Sequence, residues 1–91
     1  MSGQDGAKVI VYTGDFCGYC RAAKRLLETR KVAYLEINVS KIPGAREELV
    51  DRTGWRTIPV IEVDGELVGG YTELVSFDRD GGLNHLMKDA G

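Results

Sequence analysis

The chain has 91 residues, 43% hydrophobic and 29% charged, with a formal net charge of −2. Length and composition allow one domain with a single modest core and argue against disorder. The longest apolar run, VIVY, is far too short for a membrane span, and opposite charges are interspersed; neither a membrane partner nor a nucleic-acid partner is expected.

Residues 1–6 (MSGQDG) have no basic start and no apolar segment. They read as a flexible lead-in, not a secretory signal, ahead of a single domain over residues 7–89, and the expected compartment is the cytoplasm. KVIVY at 8–12 is β-branched and aromatic and reads as a buried strand. From Cys17 the pattern becomes helical: Cys20, Ala23, Leu27 and Arg30 recur at spacings of three and four. AYLEIN at 33–38 alternates like a strand. Ser40 as N-cap and Pro43 as an early helical residue predict a second helix from about Pro43 to Arg52, ended by Gly54. PVIEV at 59–63 and Glu66 to Val68 flank Asp64-Gly65, a two-residue hairpin signal. Thr72 is placed to cap a third helix reaching about Arg79. After Gly81-Gly82, Leu83, Leu86 and Met87 predict a last short helix. The order is β-α-β-α-β-β-α-α. The first three elements form a right-handed βαβ unit, the last two strands an antiparallel hairpin, and one four-stranded mixed sheet flanked by helices accounts for all of them.

Cys17 and Cys20 are the only cysteines. A disulfide closing so short a loop stabilises little, so a structural staple explains them poorly. Zinc needs four ligands, and beside these two the chain adds only His85 as a further His or Cys. His85 reads as a solvated helix residue, and no metal is expected. A CxxC at a helix start has a redox logic instead. Unpaired N–H groups and the positive end of the helix dipole favour a thiolate, the species that attacks disulfides. Cys17, the outer thiol, is the expected nucleophile. Cys20, nearly one turn further in, is the expected buried resolving thiol. Arg21 and Lys24 add positive charge nearby. Asp15 reads either as a helix N-cap or as a carboxylate opposing the thiolate. Tyr19 is expected at the surface as an aromatic edge of the site.

Thr57-Ile58-Pro59 leads into a strand. If Pro59 faces the cysteines, the backbone of Ile58 is free to pair with an extended cysteine-containing peptide; the bland alternative is an ordinary loop-to-strand proline. Gly69-Gly70-Tyr71-Thr72 turns into a helix N-terminus suited to a carboxylate, or is a plain turn with a Thr cap.

CGYC after the first strand, WRTIP before the third and GGYTEL after the fourth, in this order and spacing, resemble the dithiol class of the glutaredoxin family, within the thioredoxin-fold superfamily. The resemblance extends from about Lys8 to Lys88, including GGLNHLM near the end. It implies a thioredoxin-like three-layer α/β fold and a cis bond before Pro59. It implies a glutathione-dependent thiol–disulfide oxidoreductase, with Cys17 as nucleophile and Cys20 as resolving cysteine. Glutathione would be the co-substrate, and disulfide-containing or glutathionylated proteins the partners. Tyr19, Thr57, Ile58, Pro59, Gly70, Tyr71 and Thr72 would surround bound glutathione. Four features depart from the family pattern. Gly18 stands where Pro is common, Gly14 in the region of a common Lys, Trp55 where Gln or Arg is frequent, and Thr72-Glu73 in place of an acidic pair. Arg56 and Arg21 are the candidate replacement cations, Arg56 being counted with the glutathione site. Trp55 either packs against the bound peptide or covers the core edge. The resemblance also carries an alternative, favoured by Gly18: a [2Fe–2S] cluster bridging two copies, held by Cys17 of each and two glutathione thiols, in a carrier or sensor. Otherwise a monomer is expected. A third reading has thioredoxin reductase as the reductant; the missing Lys favours it and the GGYT segment opposes it.

Overall fold

The computed structural model describes residues 8–87. The expected lead-in at 1–6 and the expected domain ends at 7 and 88–89 lie outside the described residues. Strand β1 (Val9–Thr13) alternates as a half-buried strand does: Val9, Val11 and Thr13 are buried, Ile10 and Tyr12 partly so. Helix α1 (Gly18–Thr29) buries Cys20, Ala23 and Leu27 along one stripe. Arg30, expected in that stripe, lies outside it; its guanidinium grips Asp78 through three hydrogen bonds of 2.9 to 3.1 Å. Strand β2 (Leu35–Asn38) follows, then a 3₁₀ turn (Val39–Lys41) and helix α2 (Ala45–Thr53). Strands β3 (Val60–Val63) and β4 (Glu66–Gly69) flank the Asp64-Gly65 turn, with both turn residues at positive φ. Helix α3 (Tyr71–Arg79) and a 3₁₀ turn (Asn84–Leu86) complete the described chain.

The sheet order is β2-β1-β3-β4; β1 and β2 run parallel, whereas β1–β3 and β3–β4 are antiparallel. One face carries α1 and α3 over a core of Val9, Val11, Ala23, Leu27, Ile61, Val63, Leu74 and Leu83. The other face carries α2 over Val39, Leu49 and Val60, with Trp55 and Ile58 packed against them. This is the expected three-layer arrangement. Burying the central strand β3 on both faces encloses Glu62, which Arg52 of α2 neutralises at 2.6 Å. Among the described residues no helix is long and apolar enough to cross a membrane.

The caps differ from expectation. Helix α2 starts two residues beyond Pro43, behind Gly44 in the left-handed region, and Ser40 sits in the preceding 3₁₀ turn, its hydroxyl accepting the Asp15 N–H at 3.1 Å. Thr72 is inside α3, not its cap. The cap is Gly70, whose N–H donates to the Glu73 carboxylate at 3.1 Å. A Gly cap offers no side chain for the reciprocal bond. The expected last helix is a single 3₁₀ turn, and His85 on it pairs with Asp64 at 2.7 Å.

Candidate functional site

The loop Gly14-Asp15-Phe16 carries the chain from the end of β1 to the start of α1. Phe16 takes a positive φ of 56° and is fully exposed. Asp15 does not cap the helix: its carboxylate accepts from Asn38 Nδ2 at 3.1 Å and pairs with Lys41 at 3.4 Å. The cap is Cys17 itself, whose Sγ accepts the backbone N–H of Cys20 at 3.2 Å. A helix-start donor is thus aimed at this sulfur. The thiol also reaches the Ile58 carbonyl at 3.8 Å.

Cys17 is half-buried and Cys20 is 2% exposed. Burial, reinforced by the hydrogen bond with Cys17, pushes the Cys20 thiol up to about 12. The two cysteines therefore face different environments, Cys17 half-buried and Cys20 enclosed.

The Ile58–Pro59 bond is cis. Tyr19, Thr57, Ile58, Pro59, Gly70, Tyr71 and Thr72 line one groove of about 350 Å³; Cys17 is not among its lining residues and connects to it through the Ile58 carbonyl. Thus α1, the segment before β3 and the start of α3 each supply part of its wall. The Tyr19 and Tyr71 rings lie 5.9 Å apart, tilted by 32°. Arg56 does not line the groove; it is exposed, and its carbonyl accepts from Arg46 at 3.0 Å. Arg21 is exposed as well. A larger hollow of about 530 Å³ lies between β4 and α3, lined by Asp64, Glu66, Glu73 and Asp80 among others. It contains no thiol and lies away from the cysteines.

The family model for glutaredoxin matches residues 9–68. The chain belongs to the glutaredoxin family. It is 38% identical over 82 residues to glutaredoxin 3 of Escherichia coli K12, covering 90% of this chain and 99% of that protein. It is 41% identical over 80 residues to a glutaredoxin of Neisseria meningitidis serogroup A, covering 87% and 94%. A crystal structure of a buckwheat glutaredoxin–glutathione complex superposes with a TM-score of 0.81 at 26% identity, covering 92% of this chain and 79% of that one. This glutaredoxin is therefore a thiol–disulfide oxidoreductase with a thioredoxin-like fold.

Two contacts of this glutaredoxin bear on the departures from the family pattern, and for Trp55 they favour the core-edge reading over packing on a bound peptide. A Cβ on Gly69 would lie 2.8 Å from the Trp55 ring, and one on Gly70 would lie 3.7 Å from it. Trp55 therefore packs beneath the Gly-Gly turn, at the edge of the α2-side core, and is not among the residues lining the groove. The turn tolerates this approach because its glycines have no side chains, and Gly69 sits at φ +128°. Likewise, a Cβ on Gly14 would overlap the Ile58 δ-methyl group. Ile58 fills the space that a side chain at position 14 would need.

Proposed function

We propose that this protein is a glutathione-dependent thiol–disulfide oxidoreductase acting on protein disulfides and on glutathione mixed disulfides through Cys17 and Cys20. One observation carries the reading: the half-buried Cys17 sulfur, held by a helix-start N–H, reaches the carbonyl of Ile58, which lines the groove formed with Tyr19, Thr57, Pro59 and the Gly70-Tyr71-Thr72 turn. Backbone groups of Ile58 are placed to pair with the cysteinyl part of the tripeptide as an added strand. Glu73 already takes the Gly70 N–H, so Tyr71 and Thr72 supply the donors for a carboxylate at the start of α3. Arg56 lies outside the groove walls and would join the site only by reaching over from its edge.

In the first half-reaction the Cys17 thiolate attacks a mixed disulfide, a Cys17–glutathione disulfide forms and the protein thiolate leaves. A second glutathione then attacks the glutathione sulfur and frees Cys17. With a protein disulfide, Cys20 instead attacks Cys17 Sγ and expels the substrate, leaving a Cys17–Cys20 disulfide. The test is turnover of a glutathione mixed disulfide coupled to glutathione reductase, with thioredoxin reductase as the competing reductant. Cys17→Ser should abolish turnover and Cys20→Ser should retain it. Equal loss in both variants, or turnover supported only by thioredoxin reductase, would refute the reading.

Gly18 keeps a second reading in view, since a Cβ there meets nothing within 4 Å and the space over the motif is open. Among the described residues no group of three or more His, Cys, Asp or Glu could hold a metal within one chain. A [2Fe–2S] cluster would therefore need Cys17 from two copies together with two glutathione thiols. Cys17 would then serve as the ligand, and the cluster would supply carrier or sensor chemistry. Anaerobic reconstitution with glutathione, followed by visible absorbance and gel filtration, checks for a coloured dimer.

A further inference from the structure

Beside the buried thiol lies an ion pair that the proposed chemistry above does not use. Lys24 follows Cys20 by four residues on α1, so the two side chains occupy consecutive turns of one helix face. The Lys24 ammonium lies 3.1 Å from both oxygens of Glu36 on β2. One of those oxygens also accepts the hydroxyl of Thr13 at 2.8 Å. Thr13 ends β1, is 1% exposed and immediately precedes Gly14. Glu36 pairs in register with Val11, which lies on the α1-facing side of β1 together with Thr13. The carboxylate is therefore anchored at both ends, and it holds the ammonium in place. The Lys24 charge favours ionisation of Cys20, while burial and Cys17 oppose it.

We propose that the Lys24–Glu36 pair positions charge for the resolving step, with Lys24 speeding the attack of Cys20 on a mixed disulfide at Cys17 and Glu36 restraining it. The proposal rests on the assignment of Cys17 as nucleophile and Cys20 as resolving cysteine. In that step the Cys20 S–H bond breaks, a Cys20–Cys17 S–S bond forms and the Cys17–glutathione S–S bond breaks. The departing glutathione thiolate takes up the proton, so one disulfide is exchanged for another with no external oxidant. The groups that act on Cys20 are the Cys17 thiol and Lys24 from α1 and the Gly14 backbone from the loop after β1; Glu36 on β2, itself held by the Thr13 hydroxyl, reaches Cys20 only through its pairing with Lys24. Tyr71, at the head of α3, is packed on Tyr19, and the segment before β3 presents the apolar Ile58 and Pro59. Partial neutralisation of Lys24 by Glu36 makes the field at Cys20 adjustable from either partner.

The experiment mixes reduced protein with oxidised glutathione, quenches with acid at millisecond intervals and follows the masses. A first phase adds one glutathione. A second phase releases it and leaves the internal disulfide. Lys24→Gln should slow the second phase about threefold to tenfold and move its pH profile upward, the effect of losing one partly screened charge about one helical turn away. Glu36→Gln should accelerate it by a similar factor and move the profile downward. Lys24→Arg should restore most of the rate. A merely structural role predicts the same direction in both variants, because both break the same ion pair. Shifts of the same sign, or none, would overturn this proposal while leaving the dithiol reading intact. A wild-type protein that forms no mixed disulfide would overturn both.

Discussion

Reduced, folded protein treated with iodoacetamide at pH 7 should be alkylated at Cys17 and spared at Cys20. The magnitude follows from burial. The Cys20 thiol moves from an ordinary value of 9.0 to about 12. That lowers its thiolate fraction at neutral pH about a thousandfold, and only the thiolate reacts. At 2% exposure, access slows it further. Quenching at intervals and quantifying the two alkylated cysteines after digestion with a protease that cuts between them, at Tyr19, gives the two rates. Cys20 should react at least about a hundredfold more slowly than Cys17, and the difference should vanish in denaturant. The same shift makes stability depend on pH. A thiol with a raised folded-state value holds its proton more tightly in the native state. Its contribution is fully present below the unfolded value of 9.0 and is lost as pH rises through the folded value of about 12. The loss amounts to up to about 4 kcal/mol. Tyr34, raised from 10.0 to about 12 chiefly by burial, adds a loss of the same sign, so the quantity to measure is the difference between wild type and Cys20→Ala across pH 8 to 11. Comparable alkylation of both cysteines in the native protein, or no such difference on the alkaline side, would refute the assignment of Cys20 as the enclosed thiol.

Two further outcomes test how the groove is supported. Gly14→Ala pushes a Cβ into the Ile58 δ-methyl group and should cost about 1–3 kcal/mol in urea denaturation. In an Ile58→Val background, which lacks that methyl group, most of the cost should disappear, giving a coupling of about 1–2 kcal/mol; strict additivity would show that the two residues do not compete for one space. Gly69→Ala must place a Cβ at φ +128°, 2.8 Å from Trp55 and 2.9 Å from Glu73. It should destabilise the fold by at least about 1–3 kcal/mol and lower kcat/KM for a glutathione mixed disulfide in the coupled assay. Wild-type values in both measurements would show that Trp55 does not support the turn.

Element order, the hairpin at Asp64-Gly65 and the buried stripe Cys20, Ala23, Leu27 were legible in the sequence, because each rests on residues within one turn or one strand of each other. So was the CxxC at a helix start, since both cysteines and the helix belong to one short segment. The residues at 57–59 and 70–72 offered a binding reading beside a bland one, and the resemblance chose between them; both segments are remote from Cys17 in the chain and meet it only because β3 pairs with β1 and α3 packs beside α1. The caps were misread for the same physical reason in reverse. Ser40, Asp15 and Thr72 all have suitable side chains, but competing partners drew two of them away: the Asp15 N–H for Ser40, and Asn38 with Lys41 for Asp15. Glu73 took the capping role beside Gly70 that Thr72 was expected to play.

By itself, then, the sequence determined a domain of helices and strands in this order, with a dithiol at a helix start. Tertiary structure alone decided that Ile58 fills the space over Gly14, that Trp55 braces the Gly-Gly turn and that Lys24 is tied to Glu36 beside Cys20. Local patterns reflect backbone preferences and burial period, which a few neighbouring residues specify. A contact between distant residues depends on which side chains the packed layers bring within a few ångströms, and no local pattern encodes that.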